Sequence, residues 1–146
     1  MESLADTYLA WTGRQMSIKH EALAVVAAFH EHLNAKETDK ILDLAAEDIR
    51  IGGPRGSGTG KDLLREWVGR ANVTMIPQRI LARDGVVVVE QRAEWRSPAT
   101  GAITGSQTLA SVFRIDSGKI IALARYSGFG EAANKAGLDE DDAVES

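Results

Sequence analysis

The sequence predicts an α+β domain in which helices come first and a meander of antiparallel strands follows. The chain has 146 residues, of which 44% are hydrophobic and 26% charged, a balance that suits one globular domain with its own core. Apolar residues recur at helical spacing as far as residue 68, whereas strand-like runs separated by turn signals fill residues 73–127. Helices followed by consecutive strands are typical of the α+β class.

Three helices are predicted in the first half of the chain. Residues 18–33 place apolar side chains at the i, i+3, i+4 spacing of an amphipathic helix. Thr38 is the predicted N-cap of a second helix, which a short strand at 49–51 follows. The glycine-rich run GGPRGSGTG (52–60) is predicted to be an irregular loop, and a capping-box pattern at 59–62 opens the third helix.

Four strands are predicted in the second half, at 73–82, 86–97, 106–115 and 119–127. Pro77 cannot donate to a strand ladder, so the first of these is predicted to be an edge strand or to carry a bulge. Asp84-Gly85 and Ser117-Gly118 have the composition of tight hairpin turns.

The two ends of the chain are predicted to lie outside the domain. Residues 1–15 have helical spacing that stops at Gly13 and are predicted to form an N-terminal extension. Residues 139–146 are acidic and are predicted to be a disordered, solvated tail. The folded domain is therefore predicted to span residues 16–138.

Composition excludes several classes of function. The chain has no cysteine, which excludes disulfides, thiolate zinc sites and a cysteine nucleophile. His20, His30 and His32 lack the spacing of metal ligands, so they are interpreted as solvated, and neither a metal nor a cofactor is expected. The net charge is −4 and the arginines are scattered among acids, so no nucleic-acid partner is expected. Because no apolar run reaches about 18 residues and the start lacks a signal-like pattern, we expect no membrane partner and a cytoplasmic protein.

The run VVVVEQRAEWRS (86–97) is the most informative segment, because every second residue from Glu90 onward is charged. Alternating charge on a strand commonly marks a face that looks at water and carries ordinary ion pairs. The same pattern is also consistent with charges that point into a cavity and do chemistry there. The strand alone leaves both interpretations open.

Three segments, in this order, resemble the nuclear transport factor 2-like superfamily, and in particular its SnoaL-like cyclases and limonene-type epoxide hydrolases. The segments are LNAKETDKILDLAAEDIRI (33–51), GKDLLREW (60–67) and VFRIDSGKIIALARY (112–126). The resemblance implies a cone in which a curved antiparallel sheet packs against three N-terminal helices and surrounds a pocket. It also implies a homodimer that associates through the sheet.

The resemblance implies a site as well. Arg92-Ala93-Glu94 falls where the epoxide hydrolases have an Arg-x-Asp pair, which would point Arg92 and Glu94 into the cone. Arg50 and Arg125 would then share that cavity. The implied wall of the pocket consists of Trp67, Gln107, Leu109, Ser111 and Phe29.

The other catalytic positions of these relatives are not kept. The three functional positions of ketosteroid isomerases fall on Phe29, Gly53 and Ser111, and the second acid of the epoxide hydrolases falls on Arg125. The cyclases' aspartate at the end of the last strand has no counterpart, because no carboxylate precedes Glu131 there.

Two functional hypotheses follow. In the first, the protein is an isomerase, lyase or hydrolase of a small organic substrate, which is either neutral or anionic. Glu94 is then the general base, Arg92 tunes it, and Arg125 and Arg50 hold the anionic group. In the second, the pocket binds a small-molecule ligand without catalysis, or the domain serves as a dimeric association module.

Overall fold

The computed structural model describes residues 4–53, 56–70 and 73–144. The helices are α1 (Leu4–Asn34), α2 (Thr38–Asp43), α3 (Lys61–Arg70) and α4 (Phe129–Ala136), and a short 3₁₀ helix spans Glu140–Asp142. The strands are β1 (Ala45–Gly53), β2 (Gly56–Thr59), β3 (Val73–Arg83), β4 (Val86–Arg96), β5 (Ile103–Asp116) and β6 (Lys119–Tyr126).

The six strands form one curved, unclosed sheet in the order β2-β1-β6-β5-β4-β3. The α+β class and the three N-terminal helices are confirmed. The sheet is mixed rather than purely antiparallel, because β1 runs parallel to β6 while the other neighbours are antiparallel. The long connection through β2, α3, β3, β4 and β5 allows the parallel pairing, which a short hairpin could not make.

The two faces of the sheet are covered differently. The inner face carries odd-numbered side chains of β4 and β5 and packs against α1 in the main core. This core includes Val87, Val89, Ala93 and Phe113 from the sheet and Ala22, Val26, Phe29 and Leu33 from α1. The outer face carries a smaller apolar cluster made of Leu81, Val88, Ala110 and Val112 under Ala132 and Leu138. Helix α4, which the sequence did not predict, therefore covers part of the outer face.

The glycine-rich segment contains a strand rather than only a loop. Residues Gly56–Thr59 form β2 and pair antiparallel with β1, with Gly53 opposite Gly56 and Arg50 opposite Thr59. The backbone φ angle of Gly56 is 128°, a value that residues with a Cβ rarely adopt. The glycines thus allow a tight hairpin whose backbone forms part of a cavity rim.

The strand β3 lies at one edge of the sheet, and other parts of the chain cover that edge. The Asn34 side chain donates to the carbonyl of Met75 and accepts from its backbone N–H, each at 2.9 Å. The backbone N–H of Val144 donates to the carbonyl of Ile80 at 2.9 Å. Pro77 lies between these two contacts, beside a bulge, so its prediction as an edge or bulge residue is confirmed.

The ends of the chain differ from expectation. Helix α1 continues through Gly13, where the sequence predicted its end. Residues 139–144 are folded against β3 rather than disordered, since Nε and Nη2 of Arg83 donate to the two carboxylate oxygens of Asp142 at 3.0 and 2.7 Å. Positions 145–146 of the predicted tail lie outside the described residues. The division into an extension (1–15), a domain (16–138) and a tail stays a prediction.

Candidate functional site

A cavity of about 680 Å³ lies at the inner face of the sheet, between the β1–β2 hairpin and α3. Its volume is in the range of small-molecule sites. The lining residues are Ile51, Gly52, Gly53, Gly56, Ser57, Gly58, Leu63, Trp67, Trp95, Gln107, Leu109, Arg125, Tyr126 and Ser127. Most of the side chains in this wall are apolar or aromatic.

Arg125 is the charged group of this cavity. Its guanidinium carbon Cζ lies 4.3 Å from the centre of the Trp67 ring, so one face of the guanidinium stacks on the indole. Its Nε is buried and has no hydrogen-bond partner among the described residues. Burial lowers the pKa of Arg125 below its ordinary value, although an arginine remains protonated at neutral pH. Among the described residues, Arg125 is thus the cation of the cavity wall, with its Nε covered by protein atoms.

The described lining contains no carboxylate and no histidine. The polar side chains available beside Arg125 are hydroxyls and an amide, from Ser57, Gln107, Tyr126 and Ser127. A general base needs to lie within hydrogen-bond reach of the proton that it removes, and a carboxylate or imidazole usually fills this role. The described lining therefore offers hydrogen-bonding groups and apolar surface, but no carboxylate or imidazole to act as a base.

The structure brings four of the predicted site residues together. Trp67, Gln107, Leu109 and Arg125 all line the cavity. Gln107 and Leu109 are alternate residues of β5, so both point to the inner face. The position of Arg125 opposite Ser111 places it on the same face of the neighbouring strand β6.

The inward direction predicted for Arg92 and Glu94 is wrong. On β4 the buried residues Val89 and Ala93 and the cavity residue Trp95 are odd-numbered, so even-numbered side chains face outward. Glu94 Oε2 lies 3.3 Å from Nε of Arg92, and half of the Arg92 side chain is exposed to solvent. The inner face packs against α1 in the hydrophobic core, so the charged side chains of β4 lie on the outer face.

The charges on the outer face form a ladder of ion pairs. Nη2 of Arg96 lies 3.7 Å from Glu94, on the side opposite Arg92. Across the strands, Arg79 binds both carboxylate oxygens of Glu90, at 3.1 and 3.2 Å. The charged side chains of β4 therefore point to the outer face, where the arginines are about half-exposed and the two glutamates are largely covered.

Three further predicted residues lie elsewhere. Arg50 is exposed on β1 between the buried residues Ile49 and Ile51, so it faces away from the cavity. Phe29 lies in the main core, with its ring centre 5.1 Å from that of Phe113. Ser111 is buried behind the cavity wall rather than in it, and its hydroxyl is used by the core.

The core contains a buried polar chain that sequence reasoning missed. Ser111 donates to Gln91 Oε1 at 2.8 Å, and Gln91 Nε2 lies 2.8 Å from Nε2 of His30. His30 was interpreted as a solvated histidine, but only 4% of it is exposed. The spacing of His30 from Val26 and Leu33 continues the apolar stripe of the helix, and this signal could have placed it inside.

Other kinds of site find no support in the described part of the chain. No group of three or more His, Asp or Glu side chains there is arranged to hold a metal ion. Among those same residues, no helix combines the length and the apolar character needed to cross a membrane.

The curved sheet, its helices and the cavity define an α+β cone of the nuclear transport factor 2-like kind, as the sequence segments implied. Residues 26–123, more than half of the chain, match the model of the SnoaL-like domain. The protein therefore belongs to the SnoaL-like domain family. None of the curated proteins matches the sequence significantly.

Solved structures share the fold at low sequence identity. A candidate polyketide cyclase from Xanthomonas campestris pv. campestris is 20% identical, with a TM-score of 0.63 over 77% of this chain and 94% of that one. TerC, co-crystallised with polyporic acid, is 15% identical, with a TM-score of 0.64 over 80% and 97%. A hypothetical protein with a ketosteroid isomerase-like fold from Catenulispora acidiphila, in complex with trimethylamine, is 17% identical, with a TM-score of 0.61 over 80% and 95%. At these identities the likeness concerns the fold alone.

Proposed function

We propose that the protein binds a small organic molecule in the cavity between the β1–β2 hairpin, α3 and the inner face of the sheet. The observation that carries this proposal is the half-buried cation of Arg125 in a wall that is mostly apolar or aromatic and that has no carboxylate among its described residues. A partly buried charge without a counter-ion is costly. A ligand with an acceptor or an anionic group pairs with this cation and also buries its own apolar surface.

The binding hypothesis is favoured over the catalytic one because the predicted base lies on the wrong face. Glu94 is held by Arg92 and Arg96 on the outer face, whereas the cavity opens from the inner face. A side chain on the opposite side of a sheet cannot come within hydrogen-bond distance of a ligand in the cavity. An isomerase, lyase or hydrolase reaction with Glu94 as base therefore has no geometric support.

The chemistry of the ligand has to be inferred from this chain's own residues. TerC was crystallised with an acid and the Catenulispora protein with an amine, so the fold accommodates ligands of different chemistry. Here the charged lining residue is an arginine. This favours ligands with an acceptor or an anionic group.

A cavity-filling variant tests the proposal. Gly53 lines the cavity, and a Cβ built on it would lie 4.0 Å from Cβ of Arg125, an ordinary contact. Gly53→Phe should therefore fill the cavity without a backbone clash, whereas Gly53→Ala should leave most of it open. The binding of a neutral environment-sensitive dye, and of a library of small organic compounds by thermal shift, is measured for both variants and the unaltered protein.

We expect compounds that raise the Tm of the unaltered protein and of Gly53→Ala but not that of Gly53→Phe, because a ligand that binds the folded state stabilises it. Equal Tm shifts in Gly53→Phe would place the binding outside the cavity. If neither the dye nor any compound of the library binds the unaltered protein, the proposed binding function is contradicted.

A further inference from the structure

We infer that the ligand of this cavity is an apolar monocarboxylate with a ring-shaped body. The inference rests on the proposed function, and it names the class of compound that the cavity selects. It follows from the charges in the lining, from the directions of the free Arg125 donors and from the shape of the apolar wall.

The charge of the lining favours one negative charge and no positive one. Among the described lining residues, Arg125 is the cation and none is a carboxylate. A monoanion neutralises Arg125, whereas a phosphate monoester carries about 1.5–2 negative charges at neutral pH and would leave part of them unpaired. An amino acid or an amine would bring an ammonium group that finds no carboxylate in this wall.

The acids on β4 do not supply the missing partner from within the protein. Glu90 and Glu94 point to the outer face, where Arg79 and Arg92 bind them. Behind the cavity, the Ser111 hydroxyl donates its hydrogen to Gln91. Arg125 therefore stays without an internal carboxylate among the described residues.

The stacking of Arg125 on Trp67 fixes the direction from which an anion can bind. One face of the guanidinium is covered by the indole ring, with Cζ 4.3 Å from the ring centre. The N–H groups of a guanidinium lie in its plane, and Nε–H with a neighbouring Nη–H forms a parallel pair that fits the two oxygens of a carboxylate. Because Nε is covered by protein atoms, a ligand in the cavity meets the two Nη groups, whose outer N–H bonds form a second parallel pair of this kind. The geometry thus selects a planar group that approaches edge-on.

The rest of the cavity fits an apolar ring system. Trp67 and Trp95 provide two indole side chains, and Ile51, Leu63 and Leu109 provide aliphatic wall. A cavity of about 680 Å³ is far larger than a carboxylate group. Flat rings gain both burial and favourable contacts with aromatic side chains.

The test compares three naphthalene compounds and one aromatic amino acid that differ in charge. Isothermal titration calorimetry at neutral pH measures the Kd of 2-naphthoate, of the neutral isostere 2-naphthamide, of 2-naphthyl phosphate and of L-phenylalanine. We expect 2-naphthoate to bind at least about tenfold more tightly than each of the others, since a charge-assisted bidentate contact corresponds to a tenfold change or more. This comparison uses the unaltered protein and needs no variant to fold.

Variants then assign the preference to Arg125. Arg125→Met should remove the advantage of 2-naphthoate over 2-naphthamide, and Arg125→Lys should keep the charge but lose roughly tenfold in naphthoate affinity because the in-plane pair is gone. Arg92→Met is the matched control, since Arg92 lies on the outer face, and it should bind all four compounds as the unaltered protein does.

The possible results separate the ligand class from the function. If 2-naphthamide or 2-naphthyl phosphate binds as tightly as 2-naphthoate, and Gly53→Phe abolishes that binding, the class is wrong while the cavity still binds small molecules. If Arg125→Met still prefers 2-naphthoate to 2-naphthamide, Arg125 is not the residue that binds the carboxylate. Suppose that none of the four compounds binds, while other compounds bind the unaltered protein and Gly53→Ala but not Gly53→Phe. The inferred ligand class is then wrong, but the proposed binding function stands. If no compound of any kind shows this binding pattern, the proposed function is wrong as well.

Discussion

Nε2 of Gln91 and Nε2 of His30 lie 2.8 Å apart in the buried inner face of the sheet. Together with the contact of the other ring nitrogen, this contact defines the tautomer of His30. His30 Nδ1 lies 2.8 Å from the carbonyl oxygen of Val26, which can only accept, so Nδ1 carries the hydrogen. Nε2 then accepts from the Gln91 amide, whose oxygen accepts from Ser111. The chain is fully paired when His30 is neutral.

The first prediction concerns pH. Burial lowers the pKa of His30 below its ordinary value of 6.5, against a smaller opposing effect of the bond to Val26. As pH falls below 6.5, the unfolded chain takes up a proton that the folded protein resists, so the free energy of unfolding decreases. Urea unfolding between about pH 5 and pH 8 should show this decrease, and His30→Gln should reduce it.

His20 is the control for this effect, because it lies exposed on the same helix. His20→Gln should retain the pH dependence of the unaltered protein. An identical pH dependence in His30→Gln would show that His30 does not cause it.

The second prediction concerns the same polar chain. Ser111→Ala removes the donor to Gln91 and leaves a buried amide oxygen unpaired, which should lower the free energy of unfolding by about 1–3 kcal/mol. Ser106→Ala, on the exposed part of β5, should change it by less than about 0.5 kcal/mol. Equal effects of the two substitutions in urea unfolding would contradict a structural role for the chain.

The third prediction concerns Glu94. Since Glu94 lies on the outer face, Glu94→Gln should leave the affinity of the cavity ligand unchanged within measurement error. Its two ion pairs involve partly exposed arginines, so the loss of stability should be under about 1 kcal/mol. A large fall in affinity, or the loss of a turnover that the unaltered protein shows, would restore the hypothesis of a catalytic base.

The fourth prediction concerns the C-terminal segment 139–144. Burial would raise the pKa of Asp142, but the backbone N–H of Asp139 and the guanidinium of Arg83 outweigh it, and the pKa lies below the ordinary 3.8. The carboxylate therefore stabilises the fold above that pH, and the stabilisation is lost as pH falls through the lowered pKa. At neutral pH, Asp142→Asn should speed the hydrogen exchange of the Val144 amide, which donates to Ile80.

Asp141 supplies the control for this experiment, because it is exposed on the same short helix. Asp141→Asn should leave the exchange of the Val144 amide unchanged. If Asp142→Asn also leaves it unchanged, then the pair with Arg83 does not hold the segment in place.

The fifth prediction concerns association. A homodimer through the sheet, implied by the family resemblance, would have to use the outer face, where Ile76 is 42% exposed opposite Arg92. Sedimentation equilibrium should then show a dimer that Ile76→Lys dissociates and that Ile18→Lys, on exposed α1, leaves intact. A monomer in the unaltered protein would rule out the dimer at the concentrations measured.

The sequence predicted the α+β class and three of the helices, but not β2, α4, the parallel pairing of β1 with β6 or the direction of β4. The order of helices and strands followed from periodicity and turn signals, because each element is governed by its own local pattern. The direction of the strand depends instead on which face another element covers, and a shift by one residue exchanges the two faces. Val88 and Val89 are both completely buried, so the valine run gave no indication of the inner side.

The candidate site was predicted only in part for the same reason. Gln107, Leu109 and Arg125 line one cavity because β5 and β6 are neighbours, and Trp67 reaches the same cavity from α3. The position of Trp95 in the cavity wall was missed along with the direction of its strand. No local signal in the sequence could show that Asp142 meets Arg83, since that contact depends on how the C-terminal segment returns to β3.

The covering of the β3 edge limits how copies of this protein can assemble. Asn34 occupies one part of that edge and Val144 another, while Pro77 offers no N–H between them. A neighbouring molecule therefore finds no continuous row of free backbone groups on which to add a strand. Growth into fibres by strand addition is therefore disfavoured on this side of the sheet.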